Sequence, residues 1–311
     1  MSGAGAIRPG PRHKTVAARF SIASNTTLIV LKIVAGVLTG SVAIITEAVH
    51  SSIDLVASIV AWMSVRKADE PADESHPYGH QKLENLAAAF EGVLIVLGAG
   101  IIIYEGISRL SSPSIERVGI GIAVIALSMV VNVVISRYLY RQAAATASDA
   151  LAADAAHLST DALTSLGVLV ALLLVAVTGA KVLDPIIALA VAVAIVFSGV
   201  RLVTRSSRVL VDEALPADEL ASVTDTIDAY GASEVIGFHK LRARRAGSRR
   251  YVDLHVQFRR GTSLERAHQV SHELQAAIRD RLRDADVLIH LEPEDAAEPR
   301  TGRSPRAVSG R

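Results

Sequence analysis

The sequence contains no cysteine and only a small share of aromatic residues, and its positive and negative charges nearly cancel. Without cysteine neither a disulfide framework nor a thiolate metal site can form, so a zinc site must use nitrogen and oxygen ligands. The formal net charge of +1 over 311 residues says little about partners, because the charge is unevenly placed along the chain, and nucleic acid is not an expected partner. What the sequence does have in abundance is hydrophobic residues, which make up half of the chain.

Long apolar runs account for this hydrophobic share. Each is about as long as the roughly 20 residues that a helix needs to cross the hydrocarbon core of a bilayer. The runs predict six transmembrane helices, near residues 16–38, 41–65, 83–110, 118–140, 148–177 and 184–203. Lysine and arginine concentrate at one set of helix ends, and the positive-inside rule therefore predicts a multi-pass protein of the cell (inner or plasma) membrane with both termini in the cytoplasm.

The composition divides the chain into four predicted parts. Residues 1–14 and 294–311 are polar tails that we expect to be disordered, residues 15–205 form the transmembrane domain, and residues 206–293 form a soluble cytoplasmic domain. Within the soluble domain the apolar pattern predicts the order helix, strand, strand, helix, strand. The predicted fold class is therefore a polytopic α-helical membrane protein with six transmembrane helices and a small α+β domain of αββαβ order.

Two of the predicted membrane helices carry the same polar motif. His50 and Asp54 lie four residues apart in the second helix, and His157 and Asp161 have the same spacing in the fifth. Residues four apart project from one helix face, so the two helices together can supply the four ligands that tetrahedral zinc requires. Ionisable groups at membrane depth are costly and normally mark an ion path. The alternative is that these groups only bond within the bundle and fix its packing.

A carboxylate lies about one turn before each motif, at Glu47 and at Asp154. Because each lies on nearly the same helix face as its motif, four roles are open for these possible accessory residues. They could bind the metal directly, relay protons, orient the ligands, or only line a hydrated entrance to the site.

A second candidate site lies in the charged segment between the second and third helices. Asp73, His76 and His80 are spaced so that a short loop and the first turn of the third helix could bring them to one cation. Pro77 and Gly79 would set the bend between them. The spacing alone is equally consistent with a solvated loop that binds no metal.

Further candidate ligands lie in the soluble domain. His239 and His255 are on adjacent predicted strands, and His290 and Glu292 alternate onto one face of the last strand, while His268 lies on the helix between them. Scattered histidines on a small soluble domain are usually surface residues, so their spacing by itself supports a metal site only weakly.

Several longer motifs resemble one known family. They are Gly40-Ser-Val-Ala43, His50-Ser-Ser-Ile-Asp54, Asp73-Glu-Ser-His-Pro-Tyr-Gly-His-Gln-Lys-Leu-Glu84, His157-Leu-Ser-Thr-Asp161, Asp212-Glu-Ala-Leu-Pro216 and Gly237-Phe-His-Lys-Leu-Arg-Ala-Arg244. On these motifs the chain resembles the cation diffusion facilitator family, metal/proton antiporters with six membrane helices and a metallochaperone-like cytoplasmic domain. The resemblance extends from about Ala17 to Pro293.

The resemblance implies roles for particular residues. It implies a transport site at His50, Asp54, His157 and Asp161, a loop site at Asp73, His76 and His80, and regulatory ligands at a dimer interface at His239, His255, His268, His290 and Glu292. Glu292 departs from the family, whose members commonly have aspartate there. The resemblance also implies a charge pair between Lys82 and Asp212 that helps to hold the membrane and soluble parts together, and a homodimer.

The function implied is efflux of a divalent cation from the cytoplasm in exchange for protons, and not an enzymatic reaction. Two imidazoles and two carboxylates suit zinc, and also cadmium, cobalt or ferrous iron, while manganese prefers more oxygen ligands. One alternative is a membrane-embedded zinc hydrolase, but His272-Glu273 lacks the second histidine of the His-Glu-x-x-His arrangement. The other is a membrane-anchored metal sensor, which would need one span and no ligands in it.

Overall fold

The computed structural model describes residues 11–39, 42–111, 119–230, 234–282 and 284–294. The chain divides into two compact units, residues 1–210 and residues 211–311. The first unit is helical, and the second combines helices with one sheet. The predicted membrane part ended at residue 205, whereas the helical unit ends at Leu210, the last residue of its sixth helix.

The helical unit consists of six long helices. They are α1 (Pro11–Thr39), α2 (Val42–Ala68), α3 (Lys82–Ser111), α4 (Gly119–Thr146), α5 (Asp149–Thr178) and α6 (Leu183–Leu210). Of these, α1, α3, α4, α5 and α6 contain segments long and apolar enough to cross a membrane. The sixth predicted span is α2, whose 27 residues exceed the roughly 20 that a crossing requires.

Two glycines let α3 and α6 pack closely along each other. A Cβ atom on Gly92 of α3 would lie 2.7 Å from Cγ2 of Val203, and one on Gly199 of α6 would lie 2.7 Å from Cγ2 of Val96. Small residues at helix contacts are the usual means by which membrane helices approach each other. The other four helices share an apolar core of their own, to which α5 contributes several alanines.

The N-terminal end of α5 is tied to two other helices. Ser148 caps α5, since its hydroxyl accepts a hydrogen bond from the backbone N–H of Leu151 at 3.3 Å. The same hydroxyl donates to the carboxylate of Glu84 in α3, and Lys14 of α1 donates to the other oxygen of that carboxylate at 3.0 Å. At its C-terminal end α5 stops at Gly179, whose left-handed φ of 72° is accessible to glycine at little cost.

Five of the six helices are longer than the apolar runs from which they were predicted, while α5 has the predicted length of 30 residues. Helix α1 begins at Pro11, so residues 11–14 are helical rather than part of the predicted disordered tail. Proline fits the first turn of a helix, where its missing N–H has no partner to lose. Two other helices extend beyond their predicted ends, since α4 continues past residue 140 to Thr146 and α6 continues past residue 203 to Leu210. The apolar pattern of a sequence ends where a helix leaves its apolar surroundings. The backbone hydrogen bonds continue further, so the pattern underestimates the length of the helix.

The second unit contains α7 (Ala217–Tyr230), β1 (Val235–Ala246), β2 (Arg249–Phe258), α8 (Leu264–Arg281) and β3 (Ala285–Pro293). The sheet has the order β1-β2-β3. Strands β1 and β2 pair antiparallel, and β2 and β3 pair parallel with α8 as the connection between them. The element order is the predicted αββαβ order.

One face of this sheet is covered and the other carries polar residues. Val252, Leu254 and Val256 of β2 are buried in a core that includes Leu274 and Ile278 of α8. Residues that alternate with them, such as 253, 255 and 257, therefore point to the opposite face. Polar side chains on the three strands thus meet on the side away from the helices.

Candidate metal-binding sites

Three of the four predicted transport-site side chains are described, and they lie together. Nε2 of His157 in α5 is 3.0 Å from Oδ1 of Asp54 in α2 and 3.9 Å from Oδ2 of Asp161. One potential ligand atom from each residue lies within 4.8 Å of the others. Asp54 and His157 are buried and Asp161 is half-buried. An imidazole therefore stands between two carboxylates from two different helices.

The helix period accounts for this convergence. His157 and Asp161 are one turn apart on α5, and Asp54 approaches His157 from α2. His50, the fourth predicted ligand, precedes Asp54 by four residues on α2. The side chains of His50 and Glu47 lie outside the described part of the structure.

Behind the cluster, Asp154 is held by a serine that joins three helices. Ser58 of α2 donates its hydroxyl proton to Oδ1 of Asp154 at 2.9 Å and accepts a hydrogen bond from Nδ2 of Asn25 in α1 at 2.8 Å. The hydroxyl of Ser21 lies 3.3 Å from that of Ser58. The structure thus places Asp154 beside the cluster and in contact with α1 and α2, while the ligand group among the described residues consists of Asp54, His157 and Asp161.

The first helix also brings a cation close to the site. Lys32 is only 5% exposed, and its ammonium group donates to the hydroxyl of Ser51 in α2 at 2.7 Å. A buried ammonium group in a membrane helix requires polar partners, since its desolvation is costly. The sequence showed Lys32 as a polar residue in an apolar helix but gave no indication of which helix it contacts.

A carboxylate that the sequence analysis did not select is also in this region. Glu91 of α3 is fully buried, and both Asp154 and His157 act on it electrostatically. The signal for it was present, because a lone carboxylate in the middle of an apolar helix is itself unusual. It was missed because no histidine or second carboxylate lies one turn away from it on α3.

The loop candidates also converge. Oδ2 of Asp73 is 3.2 Å from Nε2 of His80, Oδ1 of Asp73 is 3.2 Å from Nδ1 of His76, and the two imidazole rings have centroids 4.5 Å apart. The nitrogens of His80 are buried, and neither has a hydrogen-bond partner among the described residues. Gly79, with a φ of 85°, supplies the left-handed turn between the two histidines.

Local hydrogen bonds keep the loop carboxylate ionised. Bonds from the hydroxyl of Ser75 and from the backbone N–H of His76 hold the pKa of Asp73 well below its ordinary value. A carboxylate that stays ionised at neutral pH is ready to bind a cation without first losing a proton.

In the second unit three histidines form one row across the sheet. His239 of β1 pairs in register with His255 of β2, which pairs in register with His290 of β3. Their ring centroids are 5.3 Å apart for the first pair and 4.6 Å for the second. Glu292 lies two residues beyond His290 and therefore projects from the same face.

Glu292 joins this row. Its Oε1 is 2.6 Å from Nδ1 of His255, and its Oε2 is 2.9 Å from Nε2 of His239. The contact with His239 is short, but its geometry is not that of a hydrogen bond. Nε2 of His239 and Oε2 of Glu292 are both buried, and neither has a hydrogen-bond partner among the described residues. The two atoms are therefore close together and both available to a shared partner. A hydrogen bond from His255, and then the charges of the neighbouring histidines, lower the pKa of the Glu292 carboxyl.

The remaining predicted residues are placed differently. His268 does not join the row within one chain, because it lies on the exposed face of α8, where its Nε2 is 3.1 Å from Nε2 of His272. The buried face of α8 packs on the covered side of the sheet, opposite the histidine row. Lys82 donates to the backbone carbonyl of Leu210 at 3.2 Å, and Asp212 pairs with Arg244 at 2.8 Å. The predicted pairing of Lys82 with Asp212 stays a prediction.

The donor sets of the three clusters fit the same class of cation. Each combines imidazole nitrogen with carboxylate oxygen and none includes sulfur, a combination that suits zinc and similar divalent transition metals. The cluster on the sheet of the second unit offers two imidazoles and one carboxylate from three strands, and the loop cluster offers the same set from one short segment. The described part of the membrane cluster offers one imidazole and two carboxylates.

Comparison with known proteins defines the family. The model of the cation efflux transmembrane domain matches residues 18–211, and that of the cation efflux protein cytoplasmic domain matches residues 215–294. Together these domains cover most of the chain. The chain therefore belongs to the cation efflux, or cation diffusion facilitator, family, and the predicted family and fold class are confirmed.

Individual relatives agree with this assignment. The cation-efflux pump FieF of Serratia proteamaculans is 35% identical over 281 residues, which are 89% of this chain and 92% of the relative. An uncharacterized transporter of Synechocystis sp. is 35% identical over 264 residues, 85% of each chain. The solved zinc form of CzrB is 30% identical and covers 28% of this chain and 98% of its own, but its TM-score of 0.27 is too low to support an argument.

The family assignment decides several broader questions. The protein is a multi-pass membrane protein that exports metal cations, and its C-terminal unit is a cytoplasmic domain. The family consists of transporters and not of enzymes, so the hydrolase alternative is wrong.

Proposed function

We propose that the protein exports zinc from the cytoplasm in exchange for protons, and that Asp54, His157 and Asp161 bind the transported ion together with His50. The observation that carries this proposal is a buried imidazole held between two carboxylates from two membrane helices. Burial of ionisable groups in a membrane helix costs free energy, and such groups normally mark the path of a transported ion.

Zinc is the cation that best fits the ligands. Imidazole nitrogen favours zinc and other later transition metals over manganese, which prefers oxygen. Cadmium, cobalt and ferrous iron share this preference and are expected as further substrates. The absence of cysteine removes the soft thiolate ligands that would favour copper(I).

Proton exchange follows from the same ligand chemistry. Nε2 of His157 can hold a proton, which it shares with Asp54 at 3.0 Å, or can bind the metal, but it cannot do both at once. Because a proton and the metal compete for the same nitrogen, protons supplied on the side where the metal leaves can displace it from the site. We infer that protons load the site where the metal leaves and depart where the metal enters.

For net export the site must open alternately to the two sides of the membrane, as in other transporters whose substrate site lies near the midplane. The distribution of lysine and arginine supports cytoplasmic termini in the plasma membrane. Because the chain has no cysteine, single cysteines introduced at Lys181 and Arg208 can test this orientation. A membrane-impermeant thiol reagent added to intact cells should label Lys181→Cys and not Arg208→Cys, and the opposite pattern would contradict this orientation.

We further propose that the histidine row with Glu292 binds regulatory zinc, that the loop cluster is a second zinc site, and that the protein works as a homodimer. The short, unaligned contact between His239 and Glu292 supports the first of these. Replacing His239 and His255 together by alanine should weaken activation by cytoplasmic metal. Unchanged activation would count against a regulatory role.

The main test is metal flux in proteoliposomes with an imposed pH gradient. We expect Asp54→Ala and His157→Ala to abolish zinc flux, because each removes a ligand from the buried cluster. Asp184→Ala, in the first turn of α6, is the control and should retain flux. Flux that survives either ligand substitution would refute the transport site, and zinc flux without movement of protons would refute antiport. Parallel runs with cadmium, cobalt, iron(II) and manganese measure selectivity.

A further inference from the structure

Glu91 differs from the other buried carboxylates of the helical unit because no donor reaches it. Its exposure is 0%, and neither carboxylate oxygen has a hydrogen-bond partner among the described residues. By contrast, Glu84 of the same helix receives bonds from Lys14 and Ser148. Buried polar groups are nearly always hydrogen-bonded, so a carboxyl group without a donor calls for an explanation.

Two charged groups near Glu91 each have one buried atom without a hydrogen-bond partner among the described residues. The charged groups that act on Glu91 are Asp154 and His157, both from α5. Oδ2 of Asp154 and Nδ1 of His157 are also buried without a hydrogen-bond partner in the described structure. Within the described residues, α2 and α6, which also pack against α3, bring no charged group that acts on Glu91.

Two carboxylates so placed cannot both stay ionised at reasonable cost. Burying one unpaired carboxylate already costs several kcal/mol, and a second negative charge nearby adds repulsion. A bound proton removes one of the charges and also supplies an O–H donor, which the Glu91 carboxyl group and Oδ2 of Asp154 lack. The ordinary solution for a buried carboxyl group of this kind is to hold a proton.

We propose that Glu91 and Asp154 form a proton-binding site next to the metal site, which takes up a proton when the metal leaves and releases it when the metal binds. The coupling is electrostatic, since a divalent cation at His157 favours ionised carboxylates close to it. One O–H bond breaks for each proton released, its electron pair remains on the carboxylate, and the proton leaves to water.

This proposal rests on the proton antiport proposed above and assigns part of the exchanged protons to a position that binds no metal. If only the metal ligands carried protons, the number of protons exchanged per metal ion could not exceed the number that the metal displaces from its own ligands. A neighbouring site adds to the number exchanged for each metal ion.

The test compares proton and zinc movement in the same proteoliposomes, with a pH indicator and a zinc indicator inside. In Glu91→Gln, which keeps the shape but cannot ionise, we expect zinc flux to persist and the protons exchanged per zinc to fall by about one. The rate of zinc flux should also depend less steeply on pH in Glu91→Gln than in the wild-type protein. Glu105→Gln is the matched control on the same helix, since Glu105 is exposed, and it should leave both measurements unchanged.

The outcomes separate this proposal from the antiport on which it rests. If the wild-type protein moves no protons, the antiport proposal fails, and the role of Glu91 fails with it. If the wild type moves protons and Glu91→Gln moves as many per zinc with the same pH profile, only the proton site is refuted. Loss of zinc binding in Glu91→Gln, measured by calorimetry, would instead make Glu91 part of the metal site and overturn the proposal.

A spectroscopic measurement covers the case in which Glu91→Gln does not fold. Infrared difference spectra between metal-free and zinc-loaded protein should contain the carbonyl band of a protonated carboxyl group that disappears on zinc binding. Glu91→Asp, which keeps the carboxyl group and shortens its stem, should shift this band. A spectrum without the band, or a band that Glu91→Asp leaves unmoved, would contradict the proposal.

Discussion

Replacing Ser58 by alanine should destabilise the helical unit more than replacing Ser52 by alanine, although each change removes one hydroxyl group from α2. The hydroxyl of Ser58 is fully buried and joins Asn25 of α1 to Asp154 of α5. The hydroxyl of Ser52 bonds only to the carbonyl of Ala48 in its own helix, at 2.9 Å. The pair therefore separates the contribution of interhelical bonds from that of a hydroxyl group as such.

The two interhelical bonds of Ser58 give the expected magnitude. Such bonds in membrane proteins are worth about 0.6 kcal/mol on average and up to about 1.7 kcal/mol. Losing both should lower the free energy of unfolding by about 1–3 kcal/mol, with the higher value applying if the amide of Asn25 and Oδ1 of Asp154 are left without partners. For Ser52→Ala the change should stay within about 0.5 kcal/mol, as for other exposed positions.

The assay is denaturant unfolding of the full chain in mixed micelles. Trp62, the one tryptophan of the chain, lies one turn after Ser58 on α2, so its fluorescence reports directly on this region. Circular dichroism measured in parallel tests whether the helices unfold together. Equal unfolding free energies for the two variants would refute the view that Ser58 links three helices energetically.

Two further predictions also use matched pairs. Gly92→Ala should destabilise the protein by about 1–3 kcal/mol, because the added methyl group would overlap α6, whereas Gly98→Ala meets open space and should be neutral or slightly stabilising in the same unfolding assay. Glu292→Gln should weaken zinc binding to the cytoplasmic domain by about 10- to 100-fold or more in calorimetry of the full chain, since it removes the charge between two histidines, while Glu294→Gln should leave it unchanged. Equal effects within either pair would contradict the stated cause.

The parts of the site that follow from local periodicity could be predicted from the sequence. Four-residue spacing on a helix places His157 and Asp161 on one face, and strand alternation places His290 and Glu292 on one side of a sheet. Neither prediction requires knowledge of which helices or strands are neighbours. The convergence of Asp54 with His157 required more, namely a resemblance in motif between two separate helices.

Contacts between helices that share no motif could not be predicted in this way. Glu91 has no polar residue one turn away on α3, and although Ser58 lies one turn after Asp54 on α2, nothing in the sequence indicates that it contacts Asn25 or Asp154. Their positions depend on how α3 and α2 rotate against α5, which small apolar residues determine jointly. His268 shows the opposite case, because the resemblance grouped it with the other histidines, whereas in one chain the sheet separates it from them.

The hydroxyl of Ser148 has two tasks, since it caps the first turn of α5 and also binds Glu84 of α3. Any movement that draws these two helix ends apart must therefore break one of two hydrogen bonds of Ser148, the one to the amide of Leu151 or the one to Glu84. A rearrangement at this end of the bundle is then accompanied by fraying of the turn that begins the ligand-bearing helix. Hydrogen exchange at the amide of Leu151 would thus record, at a single atom, how often this end of the bundle opens.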